Sequence, residues 1–509
     1  MRLVEVSEFA KQKMNTVSFL GYNHNLSIKD GEFYDMKNLC SDEYPLLTVR
    51  KPRGTVQQLV KPNGLHSAGK ICYVDGTNFY YDGTVKGTVA DSKKQLISMG
   101  AYILIFPDKK YYNTASGEFG SLENSKTVSC TISTDTITGT GIGVGFKPDD
   151  SITISGSSVV SNNKTAKVIA VTNDSLKFTA NCFTTAPSGT ITCKRTVPDM
   201  EYFTENENRL WGCSSIKHEI YACKLGDPTN WNSIEGISTD SFILTVGSEG
   251  NFTGAATHLG FVCFFKENHI LRLQGTKPRN YQLFDTQCLG VREGCYQSLV
   301  AINGVLFYLS INGVCAYSGG MPEVISNPLG NITYIDAIGG SLNNKYYISM
   351  KDLNNKWNLF IYDCLKGLWF KEDAIHAEFM KYFSNRLYYV DNSNKKLMTV
   401  VGEDNEAVSF QAITRDYTGK LCGSNYVSKI MISSELNIND MLSIYIQYDN
   451  SKKWELIKTV IGDRKKNETI SIRPKRCEYY RIKLEGFGKV IIYGIVTVVN
   501  LGSDVNVRN

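Results

Sequence analysis

Apolar and polar positions alternate along most of this chain in short runs that stop at Gly, Asn or Asp. "SITIS" from Ser151, "KVIAV" from Lys167 and "YRIKLEG" from Tyr480 put every second residue on one face, the period of a half-buried strand. "MLSIYIQYD" sets Leu442, Ile444, Ile446 and Tyr448 on one side. "KVIIYGIVTVV" from Lys489 is apolar throughout and reads as a buried strand. Helical stretches rich in Leu, Ala, Glu and Lys are scarce, whereas aromatic and β-branched runs are common. The expected fold class is all-β.

Seven segments repeat one outline: an aromatic-rich strand, a polar turn and often a second strand. They begin at Gly69 ("GKICYVDGTNFYYDG"), Gly100 ("GAYILIFPDKKYYN"), Asn208 ("NRLWGCSSIKHEIYACKLGDPTNW"), Gly260, Asn303, Asn343 and Ser384. From the fourth onward the starts lie about 40 residues apart, the length of a four-stranded propeller blade. Asp75-Gly76, Asn312-Gly313 and Asn354-Asn355 supply residues that tolerate positive φ in hairpin turns. The pattern predicts a β-propeller of six or seven blades, with the stretch near Val17–Tyr22 closing the ring.

One gap breaks the rhythm. From Thr127 to Arg195 the chain becomes rich in Ser, Thr and Gly and poor in aromatics. Removing those 69 residues restores the period, so they read as a small β-barrel or sandwich inserted in a loop. Beyond residue 404 the alternating runs predict a β-sandwich of about eight strands. The expected organisation is an extended N-terminal arm closing the propeller (1–60), a propeller (61–126 and 196–404), the inserted domain (127–195) and a C-terminal sandwich (405–509).

Charge is uneven. From Asn405 onward there are 16 Lys and Arg against 11 Asp and Glu, and the rest of the chain balances at 39 of each. "DRKKNETISIRPKRCEYYR" gathers Arg464, Lys465, Lys466, Arg473, Lys475, Arg476 and Arg481. This segment is either a solvated strand face or a surface that docks an acidic partner or faces phosphate. The 14 cysteines form no C-x-x-C pair, and several sit in apolar runs, as Cys72 and Cys263 do. They read as reduced, buried thiols made in a reducing cytosol. Residues 1–15 carry Arg2, Glu5, Glu8, Lys11 and Lys13 and do not resemble a secretory leader. No run approaches the roughly 18 apolar residues of a membrane span.

Candidate chemistry is thin. Trp211, Trp231, Trp357 and Trp369 are expected to pack between blades, where bulky rings fill the wedge. Glycoside hydrolysis on a propeller would need two carboxylates at a defined separation. The turns nearest to the S-x-D-x-G-x-T-W pattern of sialidases start at Asp227, Asp352 and Asp449, and none has its Gly and Thr in place. His24, His66, His218, His258, His269 and His376 show no metal-ligand spacing. "GIGVGF" at Gly141 lacks the strand–loop–helix setting of a phosphate loop. No catalytic residue, metal or cofactor is expected.

Three further stretches carry a resemblance. "GYNHNLSIKDGEFYDMKNLCSDEYPLLTVRKPRG" from Gly21, "ENRLWGC…IYACKLGDPTNW" from Glu207 and the ending from Ile472 resemble virion proteins encoded among the tail genes of phages of Gram-positive hosts. They are also similar to the tail-nozzle and packaged-DNA stabilisation proteins of short-tailed phages. The resemblance implies a non-enzymatic β-propeller forming a ring, with six as one expected count, around the DNA exit channel. The chain would be made in the host cytoplasm and carried in the virion. Expected partners are further copies of itself, other tail or head–tail connector proteins, DNA passing without sequence reading, and a host-surface glycan. The competing expectation is a carbohydrate-binding or glycan-cleaving propeller acting at the host surface.

Overall fold

The computed structural model describes residues 11–403, 407–418, 425–449, 451–462, 464–473 and 475–501. Arg2, Glu5, Glu8 and the boundary residue Asn405 lie outside them. Among the described residues the only helical pieces are short 3₁₀ turns. The fold is all-β: a β-propeller, an inserted β domain and a C-terminal β-sandwich. The chain divides into two bodies, residues 59–323 and residues 1–58 with 324–509.

Within the first body, four-stranded antiparallel meanders follow one another. The first three are Pro62–Ser67 to Thr84–Thr88, Gln95–Met99 to Phe119–Ser121 and Tyr202–Asn206 to Phe242–Thr245. Gly254–His258 to Gln282–Gln287 comes next, and the meander opening at Val300–Ile302 ends at the boundary between the bodies. Each repeated segment supplies the second and third strands of its sheet. The turn before the second strand often needs two consecutive left-handed residues, as at Glu207-Asn208 (φ 49° and 59°) and Asn303-Gly304 (φ 50° and 78°). Such turns match the twist of the strands that they join. Consecutive sheets share apolar cores. Cys72, Val74 and Phe79 pack with Ile103 and Ile105, and Trp211 and Ile220 pack with Phe264 and Leu271. At about 1.5–3 kcal/mol for each large buried side chain, these wedges dominate the stability of the stack.

The inserted strands, from Asn124–Ile132 to Ala186–Arg195, form one seven-stranded antiparallel sheet. Its apolar positions, Ile132, Ile137, Ile152, Ile154, Leu176 and Ile191 among them, close on a single core.

In the second body two more blade-type sheets pack together, Tyr334–Leu342 to Leu368–Lys371 and Ala377–Phe383 to Lys396–Thr399. The latter takes its fourth strand from the arm: Gly54–Gln58 pairs antiparallel with Lys396–Thr399. This corrects the expectation that Val17–Tyr22 completes the propeller. Gly21–Tyr22 instead pairs in parallel with Glu32–Phe33, inside the C-terminal sandwich. The sandwich consists of a seven-stranded and a six-stranded sheet, and five arm strands between Lys11 and Val49 belong to them. Most of the arm is thus woven into sheet rather than extended, because its apolar residues Phe19, Phe33, Leu39 and Leu47 are buried there. Tyr480 donates to Thr497 across the buried middle of the sandwich at 2.8 Å.

Candidate docking surfaces

The stretch from Asn208 to Trp231 is built as a brace. Arg209 is buried, and its guanidinium donates to the carbonyls of Cys223, Ser238 and Asp240, pinning the loop that follows the third strand. At the head of that loop the Asp227 carboxylate accepts from the Thr229 amide and hydroxyl, a turn closed by its own side chain. The Trp231 indole donates to the Pro228 carbonyl at 2.8 Å while its ring packs with Met99, Phe106 and Leu210 of two neighbouring sheets.

The same loop holds the inserted domain. Lys147 pairs with Asp227 at 2.8 Å, Asn230 donates to the Asp149 carbonyl at 2.8 Å, and Ser151 donates to the Asn232 carbonyl at 3.0 Å. Lys167 bridges Asp149 and Glu235. Burial pushes the Asp227 carboxyl up, but Lys147 and Thr229 outweigh it and leave the group below the usual carboxylate range.

The arm stretch from Gly21 to Gly54 is tied down by charge. Arg53 donates to Glu372 at 2.8 Å and to Asp373 at 2.6 Å. Arg50 stands 3.8 Å from both acids and donates to the Asn38 side chain, and the Asn38 backbone N–H donates to the Glu372 carbonyl. Ser41 donates to Asp363, and Lys371 pairs with Asp35. Burial lifts the Glu372 carboxyl above its usual range even with two guanidinium groups nearby.

The four tryptophans do not share one role. Trp211 meets Phe242 and Tyr281 edge-on between two sheets, and Trp369 is buried against Phe360 and Tyr362 with its indole donating to Ile325. Trp357 is only half-buried and stacks flat on His376 at 3.7 Å, over the connection to the next sheet.

The seven basic residues near the C-terminus are dispersed. Lys465 and Lys466 lie on the edge strand Lys465–Ser471, and Arg464 immediately precedes it. Arg476 pairs with Tyr426 on the same sheet, and Arg473 is exposed between these strands. Arg481 belongs to the other sheet and pairs with Asp416, while Lys475 pairs with Glu455 at 2.6 Å. Lys465 lies 3.5 Å above the Tyr493 ring, whose hydroxyl donates to Glu435. The segment is thus split between one sheet edge and the other sheet and partly neutralised, rather than a single seven-fold patch.

The carboxylates weighed for hydrolysis are engaged in turns. Asp352 accepts from the amides of Asn354 and Lys356, and Asp449 from those of Glu478 and Tyr479. Among the described residues no cluster of His, Cys, Asp and Glu is arranged to hold a metal ion. His269 pairs with Asp285, His258 contacts the Gly304 carbonyl, and His66 contacts the Ser98 hydroxyl.

No family model matches this chain, and no curated protein matches it. Among solved structures it is similar to the computationally designed Ika8 protein, at 10% identity and TM-score 0.37 over 68% of this chain and 99% of the design. It is similar to BamB from Moraxella catarrhalis at 10% identity and TM-score 0.31, over 73% and 99%. It is also similar to an exo-β-1,3-galactanase from Phanerochaete chrysosporium at 9% identity and TM-score 0.23, over 56% and 93%. Likenesses this distant carry no functional argument.

Proposed function

We propose that this chain is a non-enzymatic structural subunit of a bacteriophage tail, assembling with copies of itself into a ring that lines or caps the DNA exit channel. One observation supports the reading above the others: the residues that carry the resemblance are spent on bracing. Arg209 and Asp227 hold a loop and a docked domain, while Arg50 and Arg53 hold the arm against one blade. Side chains committed to such ties are not available to a substrate. The test is electron cryo-microscopy of phage particles together with the native mass of the purified chain. The expected result is density for several copies around the tail axis and a closed oligomer. A monomer that is absent from particles and cleaves glycans overturns the reading.

A host-glycan role for the inserted domain has a specific observation in its favour. Its sheet exposes paired hydroxyls, Thr127 with Thr192, Ser129 with Ser188 and Thr153 with Thr165, each about 3 Å apart. A glycan array probed with the whole chain and with Thr127→Val tests it, and no retention on any glycan removes it.

A further inference from the structure

The two faces of the six-stranded sandwich sheet differ in kind. Along Met441–Tyr448, the residues Leu442, Ile444 and Ile446 are buried in the sandwich core. The residues between them fall on the outer face, and strand register extends them into rows. Met441 stands between Ile461 and Phe487. Ser443 stands between Thr459 and Glu485, and Tyr445 between Leu456 and Lys483. Directly opposed side chains on neighbouring strands touch, so Ile461, Met441 and Phe487 make a continuous apolar row. Ile438, in the turn leading into Met441, is exposed as well. Ile438 is 73% exposed, Ile461 64% and Leu456 57%, a concentration of large exposed apolar side chains on one short stretch of the sheet.

Charge surrounds this row. Arg464 follows Ile461 by three positions and leads into the edge strand that carries Lys465 and Lys466, and Lys483 lies on the strand beyond Met441, whereas Lys458, opposite Ile444 in register, turns away from the row and pairs with Glu468 at 3.7 Å. Lys483 rests 4.3 Å above the Tyr445 ring and pairs with Glu485 at 2.6 Å. Among the described residues Glu455–Ile461 is the last strand of its sheet, with no strand paired to its outer edge. An apolar centre, a charged rim and an unpaired edge are the parts of a protein interface.

We propose that this outer face docks a partner protein whose contacting surface is acidic around an apolar centre. The inference deepens the reading of the chain as a structural subunit and rests on it for the identity of that partner, a neighbour in the assembly. Nucleic acid fits less well, because phosphates gain nothing from Ile461, Met441 and Phe487. The same face of a second copy fits less well too, because it would bring two basic strips together.

The test uses the whole chain and does not depend on phage particles. Binding is measured by fluorescence anisotropy for two labelled peptides of equal length, one alternating Glu and Leu and one all Glu, and for a short duplex DNA. The expected result is that the Glu–Leu peptide binds about tenfold more tightly than the all-Glu peptide. The double variant Leu456→Ser, Ile461→Ser should lose that margin and keep the weak all-Glu binding, with an unchanged thermal melt. If that variant does not fold, Ile438→Ser in the exposed turn serves in its place and should reduce the margin. Equal binding of the two peptides overturns the proposal, as does DNA binding more tightly than either peptide. Loss of self-association in the variant, seen by light scattering, would assign the face to a second copy and overturns the proposal as well.

Discussion

Arg53 donates to Glu372 across 2.8 Å with both side chains almost wholly buried, joining the N-terminal arm to the residue immediately after the strand Leu368–Lys371, more than three hundred positions later. Removing one partner of such a pair leaves the other charged and unsolvated. Arg53→Met is expected to cost about 3–5 kcal/mol in urea unfolding. The loss should depend on pH. Burial already raises the folded Glu372 carboxyl, so the folded state keeps its proton to higher pH than the unfolded chain, and stability falls as pH rises through that range. Without Arg53 the rise is larger. The deficit should therefore be greater at pH 7 than at pH 5, and an equal deficit at both would contradict the account.

Gly21 turns the arm past Trp369 with φ at +80°, and a Cβ there would lie 2.3 Å from the Trp369 carbonyl oxygen. Gly21→Ala meets both a left-handed backbone and a collision with main chain. A loss of at least about 2 kcal/mol is expected in chemical denaturation, above the ordinary left-handed penalty alone.

Asp227 holds the inserted domain through Lys147, and its folded carboxyl is held below the usual range. A lowered acid contributes stability above its unfolded value of about 3.9 and loses it as pH falls through the lower folded value. Proteolysis by pepsin across pH 5 to 2, an interval of about three units around that window, should release the insert progressively. With rates normalised at each pH to pepsin's own activity on an unfolded substrate, Asp227→Asn should flatten the remaining pH dependence and speed cleavage at the upper end.

The thiols should titrate late. Burial pushes the Cys263 thiol up to about 12 and the Cys364 thiol up to about 11, and holds Cys213 well above its ordinary value. Cys72, Cys213, Cys263 and Cys315 are buried in sheet, while Cys364 sits half-buried just beyond a strand. Native protein at pH 8 should react slowly with iodoacetamide, with Cys364 ahead of those four. Denatured without reductant, it should show all 14 thiols, and a shortfall would reveal disulfides.

The basic edge should act on assembly rather than on folding. Each exposed pair is worth about 0.2–1 kcal/mol, so single changes should do little. Changing Arg464, Lys465, Lys466 and Lys475 together to Gln should weaken incorporation into particles, most visibly at raised salt, with the melting temperature almost unchanged. Lys475→Gln also frees Glu455, so a variant carrying the other three changes separates the two effects. Wild-type incorporation and infectivity at every salt concentration would leave this edge merely solvated.

Much of the architecture was legible because its cause is local. Period-two alternation and paired Asn or Gly turns make a hairpin within a few residues, so the blade-type segments from Gly69 to Ser384 could be read one by one. The inserted sheet was visible for the same reason, since its Ser and Thr alternate with Ile and Val over one face. The bracing residues were quoted as motifs without roles. Nothing near Arg209 in sequence announces that three carbonyls of a later loop will converge on it.

Outside the N-terminal arm, the sequence by itself determined which segments become strands and which residues of each strand face a core, because side-chain direction follows from position alone. Only the tertiary structure decided which strands pair. Gly54–Gln58 could have met any open edge of suitable length, and its actual partner, Lys396–Thr399, lies at the far end of the propeller segment. Likewise, the arm's short strands joined the sandwich because burying Leu39, Leu47 and Phe33 there removes apolar surface from water. The split of the basic segment between a sheet edge and the opposite sheet, and the apolar row from Ile461 to Phe487, follow from strand register. Register is set by packing over the whole body, and a shift of one residue would turn that row inward.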